Sequence, residues 1–265
     1  MNTHMKVITL VLFAVLINVR LASSQNGNMA NLNQLGQKNQ AVATQEGTLN
    51  MVNISQQGDG NNHLTLQSGS DNEINISAEG NKNRGGHVQV GQMNMLNVEQ
   101  SNDGHKAVTI QGGERNQIEL IQKDRYNNGA NEAMIIQGGS DNKVRVNQRL
   151  RNSRVFITQI GDGNKGDVYQ YGAGDYVNNE AYLTQYGNEN EADIDQLRED
   201  QTVVVSQNGN ANEVKSTQKG GVDNQSMVLQ FGNANAAKVS QEGDRNRSNV
   251  IQIGNKNNAL VEQIR

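Results

Sequence analysis

From residue 28 to residue 263 the chain alternates two classes of position with a period of two, and a glycine-centred break interrupts the alternation about every eleven residues. Each unit reads N-x-A-x-h-x-Q-x-G-x-x, where h is aliphatic. Twenty-one units follow one another; the first ends at Gln34, and Ala78 stands in the one slot without glutamine. Asparagine lies six residues before the anchoring glutamine in 18 of 21 units, so the repeat spans one continuous domain, residues 28–265. Residues i, i+2 and i+4 of a strand share a face. The asparagine, the small residue, the aliphatic residue and the glutamine therefore line one side of a short strand. Glycine then turns the chain, because it accepts positive φ without strain. The expected turn glycines include Gly36, Gly47, Gly58, Gly69, Gly139, Gly161, Gly187, Gly209, Gly232 and Gly254.

One strand with so thin an apolar face does not fold alone, but stacked copies bury it. The pattern predicts an all-β fold: a β-solenoid of about ten rungs, with two strands per 22-residue rung and two facing parallel sheets. Buried amides cost roughly 1–3 kcal/mol per unsatisfied group. Identical amides one rung apart, about 4.8 Å, can satisfy one another as ladders. The predicted ladders run through Asn39, Asn50, Asn61, Asn131 and Asn257, and through Gln34, Gln45, Gln56, Gln67, Gln137, Gln252 and Gln263. A helical reading fails on the period, on the regular glycines and on the lack of caps.

The true period is 22, because odd and even units differ. Outward positions of even units are largely apolar, with Val42, Leu64, Val108, Met134, Phe156, Tyr182 and Val204 in one column. The matching column of odd units is polar, beginning Asn31, Asn53, Asn75 and Asn97. An apolar outer face of this extent predicts lateral contact between solenoids. The three intervals longer than eleven residues, 122–137, 170–185 and 218–230, all follow odd units. Their loops are expected on one edge.

Composition agrees with assembly. The 265 residues include 69 Asn and Gln and 28 Gly, with no Pro, Cys or Trp. Asn/Gln-rich chains without proline favour β-assembly. Lys6, an apolar run over 7–19 and small residues at Ala22, Ser23 and Ser24 predict a secretory signal peptide over 1–24, followed by a short lead over 25–27. The apolar run is short for a membrane span, and no transmembrane segment is expected. The net charge of −4 gives no reason to expect nucleic-acid binding.

Catalytic and cofactor sites are not expected: acids such as Asp162, Asp167, Asp175 and Glu180 form no defensible constellation, and Ser, His and Asp in one composition are not a triad. His63 and His87 fall in inward slots and His105 replaces a ladder asparagine, in consecutive even units. Substituted core positions explain them better than a metal site does, so no metal is expected. Arg145, Arg149, Arg151 and Arg154 form a basic cluster, read first as solvated charge. The Gly-Asp-Gly-Asn segments at 58–61 and 161–164 read as turns rather than calcium loops.

Units such as N-E-A-M-I-I-Q (131–137) and N-A-N-A-A-K-V-S-Q (233–241) resemble the curlin repeats of bacterial curli fibres. The family pattern S-x5-Q-x-G-x-x-N-x-A-x3-Q lands on Gln34, Gly36, Asn39, Ala41 and Gln45. The resemblance implies a protein secreted by a dedicated assembly system, which polymerises with itself and with other curlin subunits outside the cell as a functional amyloid. It also implies fibres that support adhesion and biofilm matrix. Asparagine in place of the opening serine, frequent outward charges and about twice the usual number of rungs depart from the major subunit; the nearly uniform eleven-residue unit and the late basic or irregular units look closer to the minor, nucleating one. The alternative expectation is a nucleator or a surface-anchored adhesin with the same fold.

Overall fold

The structure is a computed structural model that describes the backbone of residues 21–22 and all of residues 27–124, 129–149, 151–172 and 178–265. The expected leader over 1–24 lies outside the described residues except for 21–22. Two parallel sheets of eleven strands each face one another. Odd units form one sheet, from β2 (Met29–Leu35) to β22 (Asn258–Ile264). Even units form the other, from β3 (Gln40–Thr48) to β21 (Arg247–Ile253). A two-residue strand, β1 (Leu21–Ala22), adds to the outer edge of β3 with Leu21 opposite Ala43.

Each strand pairs with the strand one rung away, so Gln45 lies opposite Gln67 and Val52 opposite Ile74. The long intervals leave this register intact: Gln111 still meets Gln137, and Gln122 meets Gln148. The extra residues at 125–128 and 173–177, expected on one edge, lie outside the described residues. Inward side chains are buried in strand after strand of the interior, and in the two end strands, β2 and β22, they are half-buried.

The core is a thin seam. In the N-terminal half the odd sheet contributes large aliphatics such as Ile54, Ile74, Leu96 and Leu120, while the even sheet offers Ala41, Ala43 and Ala107. Large side chains on one sheet thus meet small ones on the other, which fills the seam at near-constant width.

The turns have a recurring backbone. The ten expected glycines take φ between 100 and 130°. Two residues later a second left-handed position follows, and this one accepts other residue types: Lys38, Leu49, Lys82, Ala211 and Ala234 sit there at φ of 54–60°.

Ala78 interrupts the odd glutamine ladder. Gln56 reaches only the main-chain oxygen of Gln40, and the buried Oε1 of Gln100 has no donor. Ala78→Gln should close the gap and raise stability by about 1–2 kcal/mol. Urea denaturation checks this; an unchanged midpoint would mean that neighbouring side chains already fill the slot.

Candidate functional site

The chemistry of the molecule lies in its inward amides, its two open ends and its outer faces. On the even sheet the glutamines form an unbroken chain of nine amide–amide hydrogen bonds of 2.7–3.0 Å, in which each Nε2 donates to the Oε1 one rung on, from Gln45 to Gln252. Gln67, Gln137 and their neighbours spend the second N–H on a main-chain carbonyl of the opposite sheet, such as Met51 O or Gln117 O. The ladder therefore also staples the two sheets together. On the odd sheet Gln34 donates to Gln56, and the chain resumes from Gln100 and ends at Gln263.

The asparagines use different atoms from those expected. Amide–amide bonds occur in part of the row, but the constant partner of each Oδ1 is a main-chain N–H one rung on: Asn61 N donates to Asn39, and Asn72 N to Asn50. Most Nδ2 groups reach the carbonyl of a turn glycine, as Asn39 does to Gly58, Asn50 to Gly69 and Asn61 to Gly80; where the turn lacks that glycine, Asn83 and Asn179 bond Asn102 O and Arg198 O, and the buried Nδ2 of Asn131 has no acceptor. Asn131 Oδ1 accepts from Ser153 N, and Asn257 closes the row with bonds to Asn235 Oδ1 and Ile253 O. Asparagine and glycine thus act as one device, since the positive φ of the glycine presents its carbonyl to the amide.

A third ladder was not foreseen from the sequence. Asx side chains three residues after the even anchors accept the main-chain N–H of the preceding rung: Ser140 N to Asp162, Asp162 N to Asn188, Asn188 N to Asn210, and on to Asn233 and Asn255. Asp59, Asn81 and Asp103 do the same on the odd edge. The frequent Asx at this offset was the available signal, hidden among ordinary turn residues. The Gly-Asp-Gly-Asn segments are two of its members, which explains their acid without calcium.

The histidines divide. His105 copies asparagine: its Nδ1 accepts from Asn131 N at 3.2 Å and its Nε2 donates to Ser101 O at 2.8 Å. His63 and His87 leave the ladders and stack on each other, with ring centroids 5.8 Å apart. Burial pulls the His63 imidazole down to about 4 and holds His87 well below the usual histidine range. Both folded-state values lie below the unfolded one, so between pH 6.5 and about 4 the unfolded chain takes protons that the folded chain refuses. Stability is complete above that window and falls with acidification, by about 3 kcal/mol for His63 alone. Urea midpoints at pH 7.5 and 4.5 should differ accordingly, and His63→Leu should remove much of the difference.

The basic cluster is largely neutralised. Arg145 pairs with Glu119 at 3.0 Å, Arg154 with Glu180 at 3.2 Å and Arg151 with the buried Asp124 at 3.7 Å. Arg149 bonds Asn147. Three of the four charges of the cluster are therefore paired with acids.

The outer faces differ in kind. Leu64, Val108 and Met134 are exposed on the even face; Val42, Phe156, Tyr182 and Val204 are half-buried there by their rung neighbours. Phe156 and Tyr182 stack at 5.3 Å. The odd face carries an outward amide ladder instead, Asn31 to Asn53 to Asn75 to Asn97. Further along it becomes charged, with Lys215 on Asp193 at 2.9 Å. Among the described residues no helix is long and apolar enough to cross a membrane. No curated protein matches the chain well enough to serve as a relative. The family of the Curlin associated repeat matches it at residues 26–58, 177–197 and 232–264, the beginning, middle and end of the solenoid.

Proposed function

We propose that the chain is a structural subunit of an extracellular amyloid fibre of the curli type, growing by end-to-end addition of further copies. The observation that carries this reading is Asn246 Oδ1, which is buried at the C-terminal end of the even sheet without a partner. Its counterpart one rung below, Asn224 Oδ1, accepts the main-chain N–H of Asn246. A strand added beyond β21 would supply the missing donor and extend the glutamine ladder from Gln252. Unpaired strand edges invite such addition.

The alternation of strands sets the docking geometry. β22 belongs to the odd sheet, so the next level lies in the even sheet, over β21. The first full strand of an incoming copy, β2, continues the winding only from that level. Successive copies are therefore related by a half-turn, with Gln34 over Gln252 and Gln45 over Gln263. In this arrangement β1 occupies the place on β3 that the preceding copy's β22 would take. Removal of the leader at about Ser24 would free it.

Main-chain groups with the parity of Ala236, whose N–H donates to Asn257 O, point towards the growing end. Leu260 shares that parity in β22, so Leu260→Pro removes an edge donor and no internal bond. Thioflavin fluorescence of the chain from residue 25 should show a lag and then growth, with fibre diffraction near 4.8 Å. Leu260→Pro should slow seeded growth about tenfold, whereas Leu260→Ala should not. A folded chain that stays monomeric when seeded would sink the proposal and favour a nucleator or adhesin that needs a partner.

The even face adds lateral contact. Ten strands at about 4.8 Å by some 20 Å of strand present about 1,000 Å², enough for a stable pairing with a second solenoid. Phe156→Asp with Tyr182→Asp should thin fibre bundles in electron micrographs while leaving elongation unchanged; bundles of wild-type width would remove this face from the account.

A further inference from the structure

We propose that His63 and His87 form a buried two-coordinate site for a soft monovalent metal ion, Cu(I) or its redox-inert counterpart Ag(I). The two histidines stand on adjacent rungs of the even sheet, and the residue opposite His63 is Gly85. The position that a Cβ of Gly85 would occupy is 2.4 Å from His63 Nδ1 and 2.3 Å from His87 Nε2. Two imidazole nitrogens therefore converge on one spot inside the core, no more than the sum of those two distances apart. Neither has a hydrogen-bond partner, and both residues are at most 1% exposed.

The neighbours make the arrangement specific. His87 Nδ1 lies 2.9 Å from Thr109 Oγ1. When Nδ1 donates that bond, the lone pair is on Nε2, the nitrogen 2.3 Å from the converging spot. Small residues flank the rings in register: Ala41 and Gly85 beside His63, Thr65 and Thr109 beside His87. Burial keeps both imidazoles neutral, so no proton competes with a metal near neutral pH.

The number of ligands selects the ion. Zinc takes four ligands at about 2.0–2.3 Å, and no third His, Cys, Asp or Glu joins this pair among the described residues. Water cannot complete the shell at such burial. A d10 monovalent ion is satisfied by two nitrogens in line, each about 2 Å away. Binding would turn two orphaned nitrogens into ligands and cross-link adjacent rungs. Entry accompanies folding, because both rings are buried once the rungs have stacked.

The test refolds the full chain anaerobically with one equivalent of Cu(I), then removes loosely held metal with a Cu(I) chelator. About one copper per chain should remain, and X-ray absorption should show two nitrogen neighbours and no sulfur. A sulfur shell would assign the metal to exposed thioethers such as Met29 and Met51, which lie opposite each other, and would overturn the proposal. His63→Leu and His87→Ile place aliphatic residues in slots that hold them elsewhere in the solenoid. Both should keep the β circular dichroism and retain no copper, whereas His105→Asn should retain it. No copper on the wild type, or undiminished copper on both variants, overturns the assignment. Should a variant fail to fold, the ligand shell of the wild type still decides.

Discussion

Gly91→Ala should cost the fold about 2–6 kcal/mol, while Gly86→Ala, five residues earlier on the same strand, should stabilise it by about 0.5–1 kcal/mol. Both glycines lie in β7 (Arg84–Gln92). Gly91 is held at φ 120°, and a Cβ there would sit 2.0 Å from the carbonyl oxygen of Gly113 on the next rung. That oxygen belongs to backbone fixed by its own rung, so it has nowhere to retreat. The strained φ costs about 1–3 kcal/mol and the displacement of a packed neighbour a similar amount. Gly91 O also accepts Asn72 Nδ2 at 2.8 Å, a bond that any shift of the turn would stretch. Gly86 faces outward with nothing within 4 Å of its Cβ position and has no left-handed φ. An alanine there only stiffens the unfolded chain and improves strand propensity. Urea denaturation of both variants reads the sign directly. A Gly91→Ala midpoint close to wild type would mean that the rungs are looser than their register implies.

The opposite signs of these two glycines show what the repeat pattern could and could not convey. Period-two burial, the 22-residue rung and the two facing sheets follow from which residues recur at which offset, and these were legible. The partner atoms were not. Asn61 and Gln67 look alike in a pattern of inward amides, yet one accepts the main-chain N–H of Asn83 and the other donates to its own kind. That difference comes from the turn: the glycine at φ near 110° aims a carbonyl at the asparagine, and sequence alone does not orient carbonyls. The second left-handed turn position has no signature in the sequence, because Lys38, Leu49 and Ala211 share no chemistry, only backbone. His63 and His87 were placed in adjacent even units correctly. Their convergence depends on Gly85, which in a linear reading is only a small residue in a slot for small residues. His105 replaces a ladder asparagine in the repeat, and its bonds are those of an asparagine.

Asn116→Leu, at mid-solenoid, should destabilise the fold by about 3–6 kcal/mol, and Asn116→His by much less. Asn116 accepts the main-chain N–H of Asn142 at 3.1 Å through Oδ1. Its Nδ2 donates to Gly112 O at 3.1 Å, to Gly139 O at 2.8 Å and to Asn94 Oδ1 at 3.1 Å. Leucine keeps the number and branching of side-chain heavy atoms, but its methyl groups are bulkier than the amide, so some overpacking adds to the loss of partners. Asn142 N and two carbonyls lose their bonds to Asn116 at once, in a place that water does not reach. Each such group costs about 1–3 kcal/mol. Histidine answers two of these demands, because His105 already shows an imidazole accepting the N–H one rung on and donating to the carbonyl four residues back. It cannot reach the glycine of the next rung as well, so some loss should remain. The ranking, wild type above His above Leu, is the informative outcome, read from denaturant midpoints and from amide exchange at Asn142. If Leu and His proved equivalent, the row would be held by shape and by the flanking strands. If Leu alone collapsed the fold, hydrogen-bond satisfaction along the asparagine row would be what keeps each rung over the next.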